Sequence, residues 1–217
     1  MVSNRSEKRD LTVARFILGC SLALIAGLLI VAPAYAHHPT GGQVSSTFIE
    51  GFLSGLGHPI IGFDHLLFVI AAGLLAATVA QGYLIPIAFI LTALLGTGLH
   101  LLEWDLPMPE VMISASVLGF GFLLVMLQKP NVGIITTLAA IAGLFHGYAY
   151  GEAIIGATML PTIAYLLGFT LIQLGIALTA YKVAHLVSKG HLSQTRLLRF
   201  AGFTILGAGL IFLTNSF

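Results

Sequence analysis

The chain has 217 residues, 58% of them hydrophobic and 8% charged, with a formal net charge of +1. Soluble domains carry about 25% charged residues, so this composition excludes a water-soluble fold. No basic stripe is present to neutralise a run of phosphates, which excludes a nucleic-acid surface.

Four of the nine Lys/Arg residues, Arg5, Lys8, Arg9 and Arg15, precede the first apolar run, which extends over 16–32 and is followed by Ala34-Tyr35-Ala36. A positive head, an apolar middle and an A-x-A site define a secretory signal peptide. Residues 1–36 are therefore expected to be removed, leaving a mature domain of 37–217 that begins His37-His38-Pro39. Cys20, the only cysteine, falls in the leader. Without thiols, the mature chain can hold a metal only through nitrogen and oxygen.

Residues 44–57 are expected to form a short helix on, or dipping into, the outer surface. Six spans follow, at 58–80, 83–102, 109–128, 132–153, 159–182 and 196–215, each close to the ~20 apolar residues a bilayer requires. Breaks fall at Gln81-Gly82, at Glu103 to Pro107, at Lys129-Pro130-Asn131, near Thr158 and Pro161, and across the basic segment Lys182 to Arg199. Cleavage puts the new N-terminus outside. Lys129, Lys182, Lys189, Arg196 and Arg199 then lie in or beside cytoplasmic loops, while Glu103, Asp105 and Glu110 lie outside. This is the positive-inside pattern, in a bacterial inner membrane with both termini outside. The expected fold is all-α: a six-helix transmembrane bundle in one domain.

Ionisable groups at membrane depth are costly and normally mark a pathway or a site. Two clusters stand out, Gly57-His58-Pro59-Ile60-Ile61-Gly62-Phe63-Asp64-His65 on the first span and Phe145-His146-Gly147-Tyr148-Ala149-Tyr150-Gly151-Glu152 on the fourth. Six residues of unbroken helix mean about 9 Å of rise and 240° of rotation, so neither His58 and Asp64 nor His146 and Glu152 can grip one ion as neighbours. Either the helix is distorted, which Pro59 and Gly62 permit, or the ligands are shared. The spans put Asp64, His65 and His146 about 9–12 Å below the outer surface, with His58 and Glu152 nearer the mouth. Imidazole and carboxylate suit Ni²⁺, Co²⁺ or Zn²⁺. The metal-binding candidates are therefore His58, Asp64, His65, His146 and Glu152.

Other polar residues are read more plainly. His100 is expected to be a packing hydrogen bonder, with a place on the path as the alternative. Glu110 is balanced between the path and a first-turn carboxylate favoured by the helix dipole. His185 and His191 read as solvated loop residues, and Gln173 as packing or path. An offset of 88 residues aligns Gly55-Leu56-Gly57-His58 with Gly143-Leu144-Phe145-His146 and Asp64 with Glu152. Two three-helix halves would be inverted relative to each other, the plan of many secondary transporters.

At these residues the chain resembles the HupE/UreJ family of membrane proteins. His58, Asp64 and His65 meet its H-x5-D-H pattern, and Phe145-His146-Gly147, Ala149, Gly151 and Glu152 meet its second motif. The resemblance implies nickel or cobalt uptake, often linked to hydrogenase or urease. The expected function is a secondary permease that passes Ni²⁺ or Co²⁺ from the periplasm to the cytoplasm, with no enzymatic activity and no tightly bound cofactor. Its partners would be the ion, the bilayer and a metalloenzyme-maturation or energising protein. His37 and His38 are candidates for first capture. The alternatives are an intramembrane metal-dependent hydrolase, with three ligands around zinc and an open position for water, and a metal-delivery accessory protein.

Overall fold

The computed structural model describes residues 44–126, 130–188 and 194–217. The leader, Cys20, His37, His38, Lys129, Lys189 and His191 lie outside these residues. The regular elements among the described residues are seven α-helices: α1 Phe48–Ile61, α2 Phe63–Ala76, α3 Leu84–Leu101, α4 Pro109–Val125, α5 Val132–Glu152, α6 Met159–Ser188 and α7 Gln194–Asn215. Helices α3, α5, α6 and α7 are long and apolar enough to cross a membrane, α1 and α2 reach that length only as a bent pair, and α4 is an apolar helix of 17 residues.

The start of α1 is written in its sequence. Thr47 and Glu50 form a capping box in which Thr47 Oγ1 accepts from the Glu50 N–H at 3.2 Å and Glu50 Oε2 accepts from the Thr47 N–H at 3.2 Å. These bonds satisfy donors that a helix N-terminus otherwise leaves unpaired. The helix continues through Pro59 and stops at Gly62, whose N–H still bonds the His58 carbonyl at 3.0 Å while its ψ of 97° turns the chain away. Helix α2 starts at the next residue, bent 78° from α1. The expected span over 58–80 and the separate surface helix over 44–57 are thus replaced by one broken unit, divided at Gly62. Only glycine leaves the His65 ring its place there, because a Cβ at position 62 would lie 2.6 Å from His65 Cδ2.

Glycine faces set the helix pairs. Gly51 and Gly55 of α1 meet the backbone of Pro161, Tyr165 and Phe169, and Gly73 of α2 meets Ala177 and Ala180. The α1–α2 unit therefore accompanies α6 in the same direction. Helices α3 and α5 also run parallel, with Gly143 against Phe89, Gly147 against Ala93 and Gly151 against His100. Helices α4 and α7 run antiparallel, with Gly121 against Ile205 and Leu206 and Gly209 against Leu118. Lipid tails give no hydrophobic drive for helix association, so this close backbone approach supplies the packing. Leu91, Leu95, Leu171, Leu178, Phe203 and Leu210 stay exposed on the outer faces of the helices.

Candidate metal centre

The break at Gly62 brings the two halves of the first motif together. His58, at the end of α1, and His65, in the first turn of α2, are both buried, with ring centroids 5.8 Å apart. An unbroken helix would separate residues seven apart by about 10 Å along its axis. Two imidazoles on one tetrahedral ion stand about 5.2 Å apart between centroids at ordinary metal–nitrogen distances, so rings 5.8 Å apart are within about half an ångström of sharing an ion.

His146 comes from the other motif, on α5. It is fully buried, and its Nδ1 lies 2.7 Å from His65 Nδ1. Its Nε2 lies 3.0 Å from Ser116 Oγ on α4, and Ser116 donates to the Ile113 carbonyl at 2.7 Å. His58 Nδ1 lies 2.9 Å from Tyr165 Oη on α6, and Tyr165 donates to the Tyr150 carbonyl at 2.9 Å. The Tyr150 ring packs 5.1 Å from His58 and 4.5 Å from His65. Its hydroxyl is buried without a hydrogen-bond partner among the described residues.

Asp64 is half-buried in the first turn of α2. Its Oδ1 accepts from the His65 N–H at 2.8 Å and lies 4.0 Å from His65 Nδ1. A carboxylate in a first turn is favoured by the helix dipole. Glu110, in the first turn of α4, and Glu152, at the end of α5, are exposed, and Glu110 lies within electrostatic reach of both Asp64 and Glu152. Three helices thus contribute carboxylates to one end of the bundle, above the histidines.

Towards the other end the site closes on carbon. Phe68 packs 4.7 Å from the His146 ring, 4.7 Å from Phe89 and 4.5 Å from Phe120, and all three phenylalanines are buried. Among the described residues no three His, Cys, Asp or Glu side chains stand ready to hold one ion together. The converging nitrogens are those of His58, His65 and His146, and Glu152 remains at the rim.

His100 does not join them. Its Nδ1 lies 2.7 Å from the Tyr148 carbonyl and its ring lies 4.2 Å from the Tyr148 ring at a tilt of 39°, so it packs α3 onto α5. Gln173 is fully buried, and its amide donates to the Phe169 carbonyl at 3.1 Å. His185 packs its ring 4.5 Å from Tyr181 on α6. Tyr165 and Ser116 are the site residues that sequence reasoning missed. A serine or tyrosine on an apolar helix is common packing material, and neither carries a spacing that separates it from that background.

A bundle of apolar helices with three histidines buried at the meeting point of a broken helix defines a polytopic membrane protein with an imidazole site in its interior. The chain matches the HupE / UreJ protein family over residues 23–212, and it belongs to that family. It is 30% identical over 142 residues to Protein HupE of Rhizobium leguminosarum bv. viciae, covering 64% of this chain and 71% of that protein. No solved structure matches the chain.

Proposed function

We propose that the protein is a secondary permease for a divalent transition-metal ion, Ni²⁺ or Co²⁺, which it takes from the periplasmic side to the cytoplasm. The observation that carries this reading is the convergence of His58, His65 and His146 in the interior, beside Asp64. Imidazole and carboxylate are the donors that such borderline ions prefer over alkali or alkaline-earth ions. Asp64, Glu110 and Glu152 give the approach a negative field that concentrates cations, and Tyr150 Oη adds a buried oxygen that needs a partner. The Phe68, Phe89 and Phe120 cluster then closes the inward path.

The packing directions support a membrane plan. The α1–α2 unit counts as one broken crossing parallel to α6, α3 runs parallel to α5, and α4 runs antiparallel to α7, a set that fits six alternating crossings after a cleaved leader. Glu50, Glu103, Asp105, Glu110 and Glu152 lie at the end we assign to the periplasm, and Lys182, Arg196 and Arg199 at the cytoplasmic end, as the positive-inside rule requires.

The inverted repeat also gains support. The 88-residue offset carries Gly55 onto Gly143 and His58 onto His146. Gly55 packs on the backbone of Tyr165, and His58 meets the Tyr165 ring edge-on at 6.2 Å and 79°. Gly143 packs on the backbone of Phe89, and His146 meets the Phe89 ring edge-on at 5.4 Å and 75°. Halves related in this way, with a site between them, suit alternating access.

The test is accumulation of radioactive Ni²⁺ and Co²⁺ by cells making the wild type, a His65→Ala variant or no protein, followed by the purified wild type in liposomes. The wild type should accumulate metal, and His65→Ala should fall to the level of empty cells. Wild-type cells that accumulate no more than empty cells would sink the reading. Uptake by liposomes containing this chain alone distinguishes a permease from an accessory protein.

A further inference from the structure

We propose that Tyr165 and the His146–Ser116 pair hold the ring protons of His58 and His65 on Nδ1, so that both imidazoles present Nε2 to the ion. On this assignment His146 supports His65 as a positioning residue and is not itself a ligand. The inference rests on the metal-binding reading above.

Each hydroxyl and each neutral imidazole in these chains has a single proton to donate. The Ser116 hydroxyl has one, and the Ile113 carbonyl, at 2.7 Å, can only accept it. Ser116 Oγ therefore accepts from His146, whose Nε2 at 3.0 Å must carry a hydrogen. A neutral imidazole has one N–H, so His146 Nδ1 holds a lone pair. The contact of 2.7 Å between His146 Nδ1 and His65 Nδ1 is then a hydrogen bond with His65 as donor. The Asp64 carboxylate, 4.0 Å from the same nitrogen, favours the proton there.

The same count applies to His58. The Tyr165 proton goes to the Tyr150 carbonyl at 2.9 Å, so Tyr165 Oη accepts from His58 Nδ1 at 2.9 Å. Two chains of hydrogen bonds, from different helices and each ending on a backbone carbonyl, thus fix the same tautomer in both histidines. Metal-binding histidines are normally held in this way, by donating the other ring N–H.

Distance bears on the role of His146 as well. Two nitrogens bound to one tetrahedral ion at about 2.1 Å stand about 3.4 Å apart. The two Nδ1 atoms are at 2.7 Å, a hydrogen-bond separation.

The test uses the full chain, with ¹⁵N-labelled histidine, metal-free in liposomes at pH 8, where free imidazole is neutral. Solid-state NMR reads which ring nitrogen carries the proton, and single histidine substitutions assign the signals. His58 and His65 should be protonated on Nδ1 and His146 on Nε2. Ser116→Thr keeps the hydroxyl and Ser116→Val removes it at nearly the same shape, and both have room because Ser116 borders an apolar cleft of about 350 Å³ lined by Met112, Phe120, Phe122 and Leu138. The Thr variant should keep the wild-type tautomers, and the Val variant should lose the Nε2–H signal of His146. Tyr165→Phe should mix the tautomers of His58 and raise the half-saturating Ni²⁺ concentration for uptake about 10-fold or more, with the maximal rate little changed.

His65 protonated on Nε2 in the wild type would overturn the proposal, as would identical histidine spectra for Ser116→Thr and Ser116→Val. A wild type with the expected tautomers but no metal uptake would instead remove the permease reading and leave the proton arrangement standing.

Discussion

His65 and His146 are 81 residues apart in the chain, and their Nδ1 atoms are 2.7 Å apart in the fold. The pair joins α2 to α5 through a buried polar contact. Such a contact is costly when either partner is removed, because the other nitrogen is left buried without its hydrogen bond.

The carboxylates above the pair act at a distance. Replacing Glu110 and Glu152 together by Gln removes two negative charges from the approach and leaves the histidines in place. The half-saturating metal concentration should rise several-fold, the maximal rate should be kept, and the difference from wild type should shrink as salt is added, because exposed charges are screened. Initial uptake rates at low and high ionic strength measure this. An unchanged concentration dependence at both would show that these carboxylates do not steer the ion.

Gly62 is the hinge of the broken helix. Its φ of −74° suits any residue, so Gly62→Ala introduces no backbone strain. The added Cβ would lie 2.6 Å from His65 Cδ2 and must push the ring. The variant should fold like the wild type, with a similar melting temperature in detergent, yet bind metal at least about 10-fold more weakly, as displaced metal-site geometries do. Normal affinity in the Ala variant would show that the His65 ring position is not critical.

Gly147 and Gly98 provide an internal control on packing. A Cβ on Gly147 would overlap the Ala93 carbonyl oxygen, whereas one on Gly98 meets nothing within 4 Å. Gly147→Val should force α3 and α5 apart and cost about 1–3 kcal/mol or more, seen as a lower melting temperature or loss of folded protein. Gly98→Ala should be neutral or stabilising by up to about 1 kcal/mol. Size-exclusion chromatography of heated samples reads both.

Ser114 on α4 and Ser216 after α7 place their hydroxyls 3.0 Å apart. With Cys20 replaced by Ser, a chain carrying Ser114→Cys and Ser216→Cys should form an intramolecular disulfide on mild oxidation, since side chains this close can meet disulfide geometry. The faster gel mobility should revert with reductant. Persistent free thiols would contradict the antiparallel packing of α4 and α7.

Much was legible in the sequence because the relevant physics is local. An apolar run of sufficient length between polar breaks predicts a helix in lipid wherever it packs, so the expected spans over 83–102, 132–153 and 196–215 lie within a few residues of α3, α5 and α7. An intramembrane histidine or carboxylate is expensive in any bundle, and that ground points to His58, Asp64, His65, His146 and Glu152, of which Glu152 lies exposed at the end of α5. Tertiary structure decided what local cost cannot express. Pro59 points to a break beside His58, yet the helix holds through the lost donor and ring clash of a proline until Gly62, where the absent Cβ lets the His65 ring close over the turn. Which histidines meet depends on the glycine faces that set the helix pairs and on the 78° bend, which turns two rings seven residues apart into neighbours. Tyr165 and Ser116 enter the site only through that packing. Hydropathy fixes which segments leave water, whereas the direction of each side chain within the bundle is settled by contacts between segments distant in the chain.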